Sequence, residues 1–266
     1  MAKITPGSHF IGTINNLSFY KMRGVEEIIV RSKGGPSSKK VKTGKAFVNT
    51  RRNNREFGGC STAAKQVMQM LFPLKALADY NIAGSINRLL RPAKEMDTQH
   101  EWGQRSILLR TKPDLLAGFS LNKKNPFDSV VRNPIRYELD RNRLSAVVEL
   151  PALIPGINFF VPWKYPVFSF QVTLGIVPDF FYDSSQDKYT LPTGYEKFYP
   201  QTKNTDWVPV SKGSEAETVE LSFVDVPPDQ SFTVMLSIGI RYGTIGASNT
   251  IEQVKYAGSA KVIATA

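Results

Sequence analysis

Phe232-Thr233-Val234-Met235-Leu236-Ser237-Ile238-Gly239-Ile240-Arg241-Tyr242 is the longest alternating row in this chain. Successive side chains of an extended strand point to opposite faces, so Phe232, Val234, Leu236, Ile238, Ile240 and Tyr242 would share one apolar side. A helix would scatter the same six around its axis. The row therefore reads as a strand. Three more rows repeat the pattern. Phe168, Phe170, Val172 and Leu174 alternate with Ser169, Gln171 and Thr173; Val219, Leu221 and Phe223 alternate with Thr218, Glu220 and Ser222; Ala146, Val148 and Leu150 form a shorter one. Tyr256 to Ile263 supplies a last strand. One apolar and one polar face per strand predicts antiparallel sheets closed on a single core, and Pro- and Gly-rich joints favour an immunoglobulin-like β-sandwich over residues 113–266. The paired cysteines of antibody domains are missing. The connection 182–206, rich in Tyr, Asp, Lys and Pro, is long and predicts an exposed contact loop.

Upstream of the sandwich the period changes. Ala46, Phe47, Thr50, Asn54 and Phe57 recur at helical spacing, with Gly58-Gly59 as the expected stop. Ser61 or Thr62 would cap a second helix striped by Ala64, Val67, Met68, Leu71 and Leu74, and Pro73 should end it. Ile82, Ile86, Leu89 and Leu90 mark a third. Before the helices, Ile11, Ile14, Leu17, Phe19 and Tyr20 run to a turn at Met22-Arg23-Gly24, and Glu27–Arg31 returns, a hairpin pattern. Ser32 to Lys40 reads as a flexible, basic Gly/Ser/Pro connector. The expected fold class is thus α+β: a basic N-terminal β-hairpin and short helical region (1–112), then the antiparallel sandwich (113–266).

The charge is unevenly spread. Residues 1–55 hold twelve Lys/Arg and two acids, a net of +10, whereas the other 211 residues hold twenty-two and twenty-one, a net of +1. A basic end on a neutral body should meet something negative. Lys39, Lys40, Lys42, Lys45, Arg51, Arg52 and Arg55 are the expected anion or phosphate contacts. Arg51 and Arg55 lie four apart on one helix face, where like charges call for an outside anion. The aromatics Phe19, Tyr20 and Phe47 stand among the charges, as they do in proteins that stack on bases. An isolated hairpin is marginal in water. The apolar residues Ile11, Ile14, Leu17, Phe19, Tyr20, Ile28, Val30, Phe47 and Phe57 are therefore the expected intersubunit contacts.

Signals of catalysis are sparse. His9 and His100 do not make a metal spacing, and no HxxH, CxxC, GxSxG, P-loop or GxGxxG string occurs. Cys60 would favour a thiolate only if it stood at a helix N-terminus. Asp97, His100 and Glu101 form a nominal acid–base cluster that reads better as a solvated helix end or loop of mixed charge, and Asp179 with Asp183 has no support beyond proximity in sequence. No catalytic residue, cofactor, metal or small-molecule substrate is expected. One cysteine requires no oxidising compartment, the start lacks the apolar stretch of a secretory signal, and Pro151, Pro155, Pro162 and Pro166 break up the longest apolar region. A cytoplasmic protein, or part of a particle assembled there, without membrane attachment, is expected.

The string Gly12-Thr13-Ile14-Asn15-Asn16-Leu17-Ser18-Phe19-Tyr20, the return Val30-Arg31-Ser32-Lys33, and Thr50-Arg51-Arg52-Asn53-Asn54-Arg55-Glu56-Phe57-Gly58 resemble a group of uncharacterised bacterial proteins. That group shares a Gly-x-Ile/Val-x-Asn-x-Ser/Thr-Phe/Tyr-Tyr hairpin and a Thr-Arg-x-Asn-x-x-Glu-Phe-Gly helix ahead of a variable β-rich half. The resemblance spans residues 1–65. It implies a bacterial origin and a shared docking unit, and brings no activity. The function expected is a non-enzymatic structural subunit that associates with copies of itself into a filament, tube or phage-like particle. The alternative is a nucleic-acid-binding or accessory protein, and an acidic protein surface is a further possible partner.

Overall fold

The computed structural model describes residues 2–4 (backbone only), 10–22, 25–32, 34–246 and 250–266. His9, the Arg23-Gly24 pair of the expected turn, and Lys33 lie outside these residues. The chain forms two compact units, Met1–Arg51 and Arg52–Ala266. The boundary falls at 51/52 rather than at the expected 112, because most of the helical region packs on the sheets that follow it.

The first unit is built on β1 (Ala2–Ile4), β2 (Gly12–Ile14), β3 (Leu17–Lys21) and β4 (Ile28–Ser32), an antiparallel sheet in the order β1-β4-β3-β2. The expected first strand of the hairpin is two strands, divided by a turn at Asn15-Asn16. Asn15 takes φ 49°, a left-handed conformation that Asn tolerates better than most residues. Helix α1 (Ser38–Thr43) replaces part of the expected flexible connector. The Ser37 hydroxyl caps it by accepting from Lys40 N at 3.2 Å. The Arg51 guanidinium closes its other end, donating to Val41 O at 2.8 Å and Gly44 O at 2.9 Å.

Helix α2 (Val48–Met70) runs straight through Gly58-Gly59, the expected stop. The two glycines differ in purpose. A Cβ on Gly59 would stand 2.9 Å from the Tyr189 ring, whereas Gly58 has open space beside it. Ser61 and Thr62 bond back to Phe57 O (2.8 Å) and Gly58 O (3.1 Å) four residues earlier and cap nothing. Pro73 does end the helix: the backbone tightens into a 3-10 segment, Phe72–Leu77, and α3 (Ala83–Glu95) follows. A short α4 (Phe127–Val130) precedes the strands β5 (Arg136–Asp140), β6 (Ser145–Leu150), β7 (Val167–Pro178), β8 (Tyr182–Asp183), β9 (Lys188–Tyr189), β10 (Gln201–Asn204), β11 (Val208–Pro209), β12 (Glu217–Ser222), β13 (Phe232–Ile245) and β14 (Ile251–Thr265).

These strands form antiparallel sheets ordered β10-β7-β13-β14, with β11 also on β7, and β12-β6-β5; β8 and β9 make a separate ribbon. The two larger sheets share one apolar core, to which Phe168, Phe170, Val172, Leu174, Val234, Leu236, Ile238 and Ile240 contribute along with Val148 and Leu221. A second core corrects the expectation of one. Val67, Met70, Leu74 and Leu77 join Val177, Met235, Ala260 and Val262, so the helices cover the far face of the larger sheet. Ser169, read as solvent-facing, is buried beside Thr205 and Arg241, and Thr173 and Ser237, read the same way, are buried on the helix-covered face. Their small size suits this layer. A Cβ on Gly175 would meet Met70 at 2.7 Å, and one on Gly239 would meet Leu77 at 2.6 Å. The buried side chain of Asn122 ties the layers, donating to Leu77 O (2.7 Å) and Gly258 O (3.1 Å) and accepting from Ala260 N (2.9 Å). The 182–206 connection is not wholly an exposed loop. Tyr189, Tyr195 and Phe198 are buried in it, and the Tyr195 hydroxyl donates to Asp229 at 2.9 Å.

Candidate functional site

Register places the expected contact residues of the first unit. Directly opposed residues of a sheet share a face. The pairs Ile14–Leu17, Phe19–Val30 and Lys21–Ile28 therefore put Ile14, Leu17, Phe19, Ile28 and Val30 together, while Tyr20 lies on the other face opposite Ile29. Phe10 joins the first group by meeting Phe19 edge-on at 5.2 Å between ring centres. Ile28 is buried, but Phe10, Ile14 and Leu17 stay 45%, 49% and 44% exposed, and Ile11 is exposed as well. Phe47 is half-buried and Phe57 stands exposed on α2, neither being part of the sheet.

The seven expected anion contacts divide by side-chain type. Lys39, Lys40, Lys42 and Lys45 are all exposed, on α1 and just beyond it. The three arginines are engaged within the fold. Arg51 holds α1, as described. Arg52 lies 3.8 Å from the Glu101 carboxylate and over the Trp102 ring at 5.7 Å. Arg55 pairs with Asp187 at 2.7 Å beside Tyr182, whose hydroxyl also donates to Asp187 at 2.5 Å. Arg51 and Arg55, four apart on α2, thus each have their own acceptors.

Opposite charge gathers on the outer face of the three-stranded sheet. The register sets Arg136 beside Glu149, Glu138 and Glu220 on either side of Val147, and Asp140 beside Ser145. The alternate row, Ala146, Val148, Leu150, Val219 and Leu221, is buried. Four carboxylates thus face outward with one guanidinium in the same rows, and Arg143 pairs with Asp140 at 3.5 Å from the adjoining turn. No helix among the described residues is long and apolar enough to cross a membrane.

Of the nominal acid–base residues, Asp97 and His100 meet and Glu101 does not join them. Asp97 is buried; its Oδ1 accepts from the amides of Gln99 (2.9 Å) and His100 (3.1 Å), and its Oδ2 accepts from the Ser106 amide (2.7 Å) with His100 Nδ1 2.7 Å away. Burial alone would raise its carboxyl; these hydrogen bonds hold it well below the usual carboxylate range. Glu101 turns away to Arg52. Asp179 is buried against Arg110 (3.0 Å), whereas Asp183 accepts from the Ser185 hydroxyl at the surface, so they make no pair. Cys60 sits mid-helix and buried, its Sγ 3.9 Å from Leu90 O, and burial pushes the thiol up to about 11. It is a packed small residue at the α2–α3 contact, not an activated thiolate. No cluster of three or more His, Cys, Asp and Glu side chains suited to a metal occurs among the described residues.

One charged cluster gives no signal in the sequence. Glu56, on α2, is almost fully buried and accepts from Lys94 Nζ (2.5 Å), Arg105 Nε (2.7 Å), Arg105 Nη2 (2.8 Å) and Gly103 N (2.9 Å). Burial would raise its carboxyl, but two cations and an amide overcome it and hold the group at about 2. Beside it opens a cavity of about 350 Å³, lined by Glu56, Phe57, Cys60, Asn87, Arg91 and Lys94 among others. Comparison with protein-family models, curated proteins and solved structures finds no match for this chain.

Proposed function

We propose that this protein is a non-enzymatic structural subunit that associates with copies of itself into a filament, tube or phage-like particle. The observation that carries this is the apolar sheet face of a separate, strongly basic unit, with Phe10, Ile14 and Leu17 left about half exposed. Apolar groups gathered on one exposed face favour a partner over water, since their burial is worth roughly 25 cal/mol per Å². In this reading the second unit is an immunoglobulin-like body, supported by two antiparallel sheets around one core. Its acidic outer face, with Glu138, Glu149 and Glu220, is a fitting counterpart for Lys39, Lys40, Lys42 and Lys45 of a neighbour.

Replacing Ile14 and Leu17 together by Asp in the full chain tests this. The expected outcome is unchanged circular dichroism and loss of the high-mass species in light scattering and electron microscopy. Oligomers of unchanged size in the variant would sink the proposal. The exposed lysines favour the second reading, a nucleic-acid-binding accessory protein, which a salt titration separates from the first.

A further inference from the structure

Four positions of the Thr50–Gly58 string, Asn53, Asn54, Glu56 and Phe57, line the same cavity. Among the residues that line it, Asn87 carries a buried acceptor with nothing to accept. Asn87 is 8% exposed, and its Oδ1 has no hydrogen-bond partner. The direction of this amide follows from its neighbour. Ser61 donates its only hydroxyl proton to Phe57 O at 2.8 Å, so its oxygen accepts from Asn87 Nδ2 at 2.7 Å. Oδ1 is thereby the free end. A buried acceptor left unmade is unfavourable, and a donor from a bound molecule would satisfy it.

The electrostatics point the same way. Glu56 is one carboxylate between Lys94 and Arg105, which leaves the cluster one positive charge in excess. Lys94 uses one of its three N–H groups on Glu56. Arg91, exposed at the cavity, has no carboxylate within ion-pair reach among the described residues. Glu95 acts on Arg105 without lining the cavity. Phe57, 57% exposed, adds an apolar wall. A volume near 350 Å³ lies at the small end of ligand pockets.

We propose that this cavity binds a small organic oxyanion, a carboxylate or phosphate of about a dozen heavy atoms, that also carries a hydroxyl or amine donor. The anionic group would meet Arg91 and the spare N–H groups of Lys94, and the donor would reach Asn87 Oδ1. This goes beyond the assembly reading, which it neither needs nor disturbs, and departs from the expectation that no small molecule is taken.

The test is calorimetric titration of the full-length protein with ribose 5-phosphate and with gluconate. Sulfate serves as an anion without donors and glycerol as donors without charge. At least one of the first two should bind, and both controls should bind at least about tenfold more weakly. Arg91→Gln, a surface change, should weaken binding by about tenfold or more. Asn87→Leu should erase the preference over sulfate. No heat from either organic anion, sulfate binding equally well, or affinity unchanged in Arg91→Gln would overturn the proposal.

Discussion

Glu56 shows how much a single residue decides. It joins α2 to α3 through Lys94 and to the chain around Gly103–Arg105. A buried carboxylate with this many donors is hard to replace, because removing it leaves two desolvated cations facing each other. Glu56→Gln should destabilise the second unit by about 3 kcal/mol, measured by urea denaturation. The pH dependence follows from the sign of the shift. The folded carboxyl titrates at about 2 against 4.5 when free, so its stabilisation is present above pH 4.5 and is lost as pH falls toward 2. Asp97, depressed by its amide donors, acts in the same direction. Acid unfolding monitored by tryptophan fluorescence should therefore steepen below pH 4.5, and Glu56→Gln should flatten it. An unchanged acid limb in the variant would remove Glu56 from this role.

At the scale of elements, α2 separates two kinds of glycine that look alike in sequence. A Cβ on Gly58 would point into open space, so Ala there should stabilise by about 0.5–1 kcal/mol through helix propensity alone. Gly59 lies against Tyr189, and that ring is anchored by its hydroxyl bond to Arg105 O at 2.7 Å. Gly59→Ala should destabilise by about 1–3 kcal/mol, the usual range for overpacking a close contact. Thermal melts of the two variants should move in opposite directions. Equal and positive shifts would mean that the α2–Tyr189 contact yields easily.

For the whole molecule, the division of the basic residues sets what a polyanion could gain. Only Lys39, Lys40, Lys42 and Lys45 of the seven expected anion contacts are exposed and uncommitted among the described ion pairs and cation–ring contacts. At about 0.9 per phosphate contact, double-stranded DNA binding through these four should show a log–log salt slope no steeper than about −4. Reversing all four to Glu should abolish that binding. Assembly through the apolar face should survive moderate salt, since burial is insensitive to screening. Assemblies that dissolve with the same slope would mean that charge, not the apolar face, is the main attraction between copies.

Period and punctuation are legible in the sequence alone. The alternation at 168–174, 219–223 and 232–242 reports strands because one face of each meets an apolar core, and Pro73 ends α2 because it lacks an amide proton. The charge asymmetry is likewise a plain property of the chain. The tertiary structure decided what covers the other face. Thr173 and Ser237 read as solvent-facing, yet they lie buried because small side chains let helices approach a sheet closely, and a small polar residue looks the same in sequence whether water or a helix sits above it. Gly58-Gly59 reads as a stop for a similar reason: local propensity cannot register a tyrosine arriving from residue 189. Glu56 meets Lys94 and Arg105 across 38 and 49 residues, and Asn87 meets Ser61 across 26. No local pattern encodes such separations, so both the buried cluster and the cavity beside it exist only once the helices have packed.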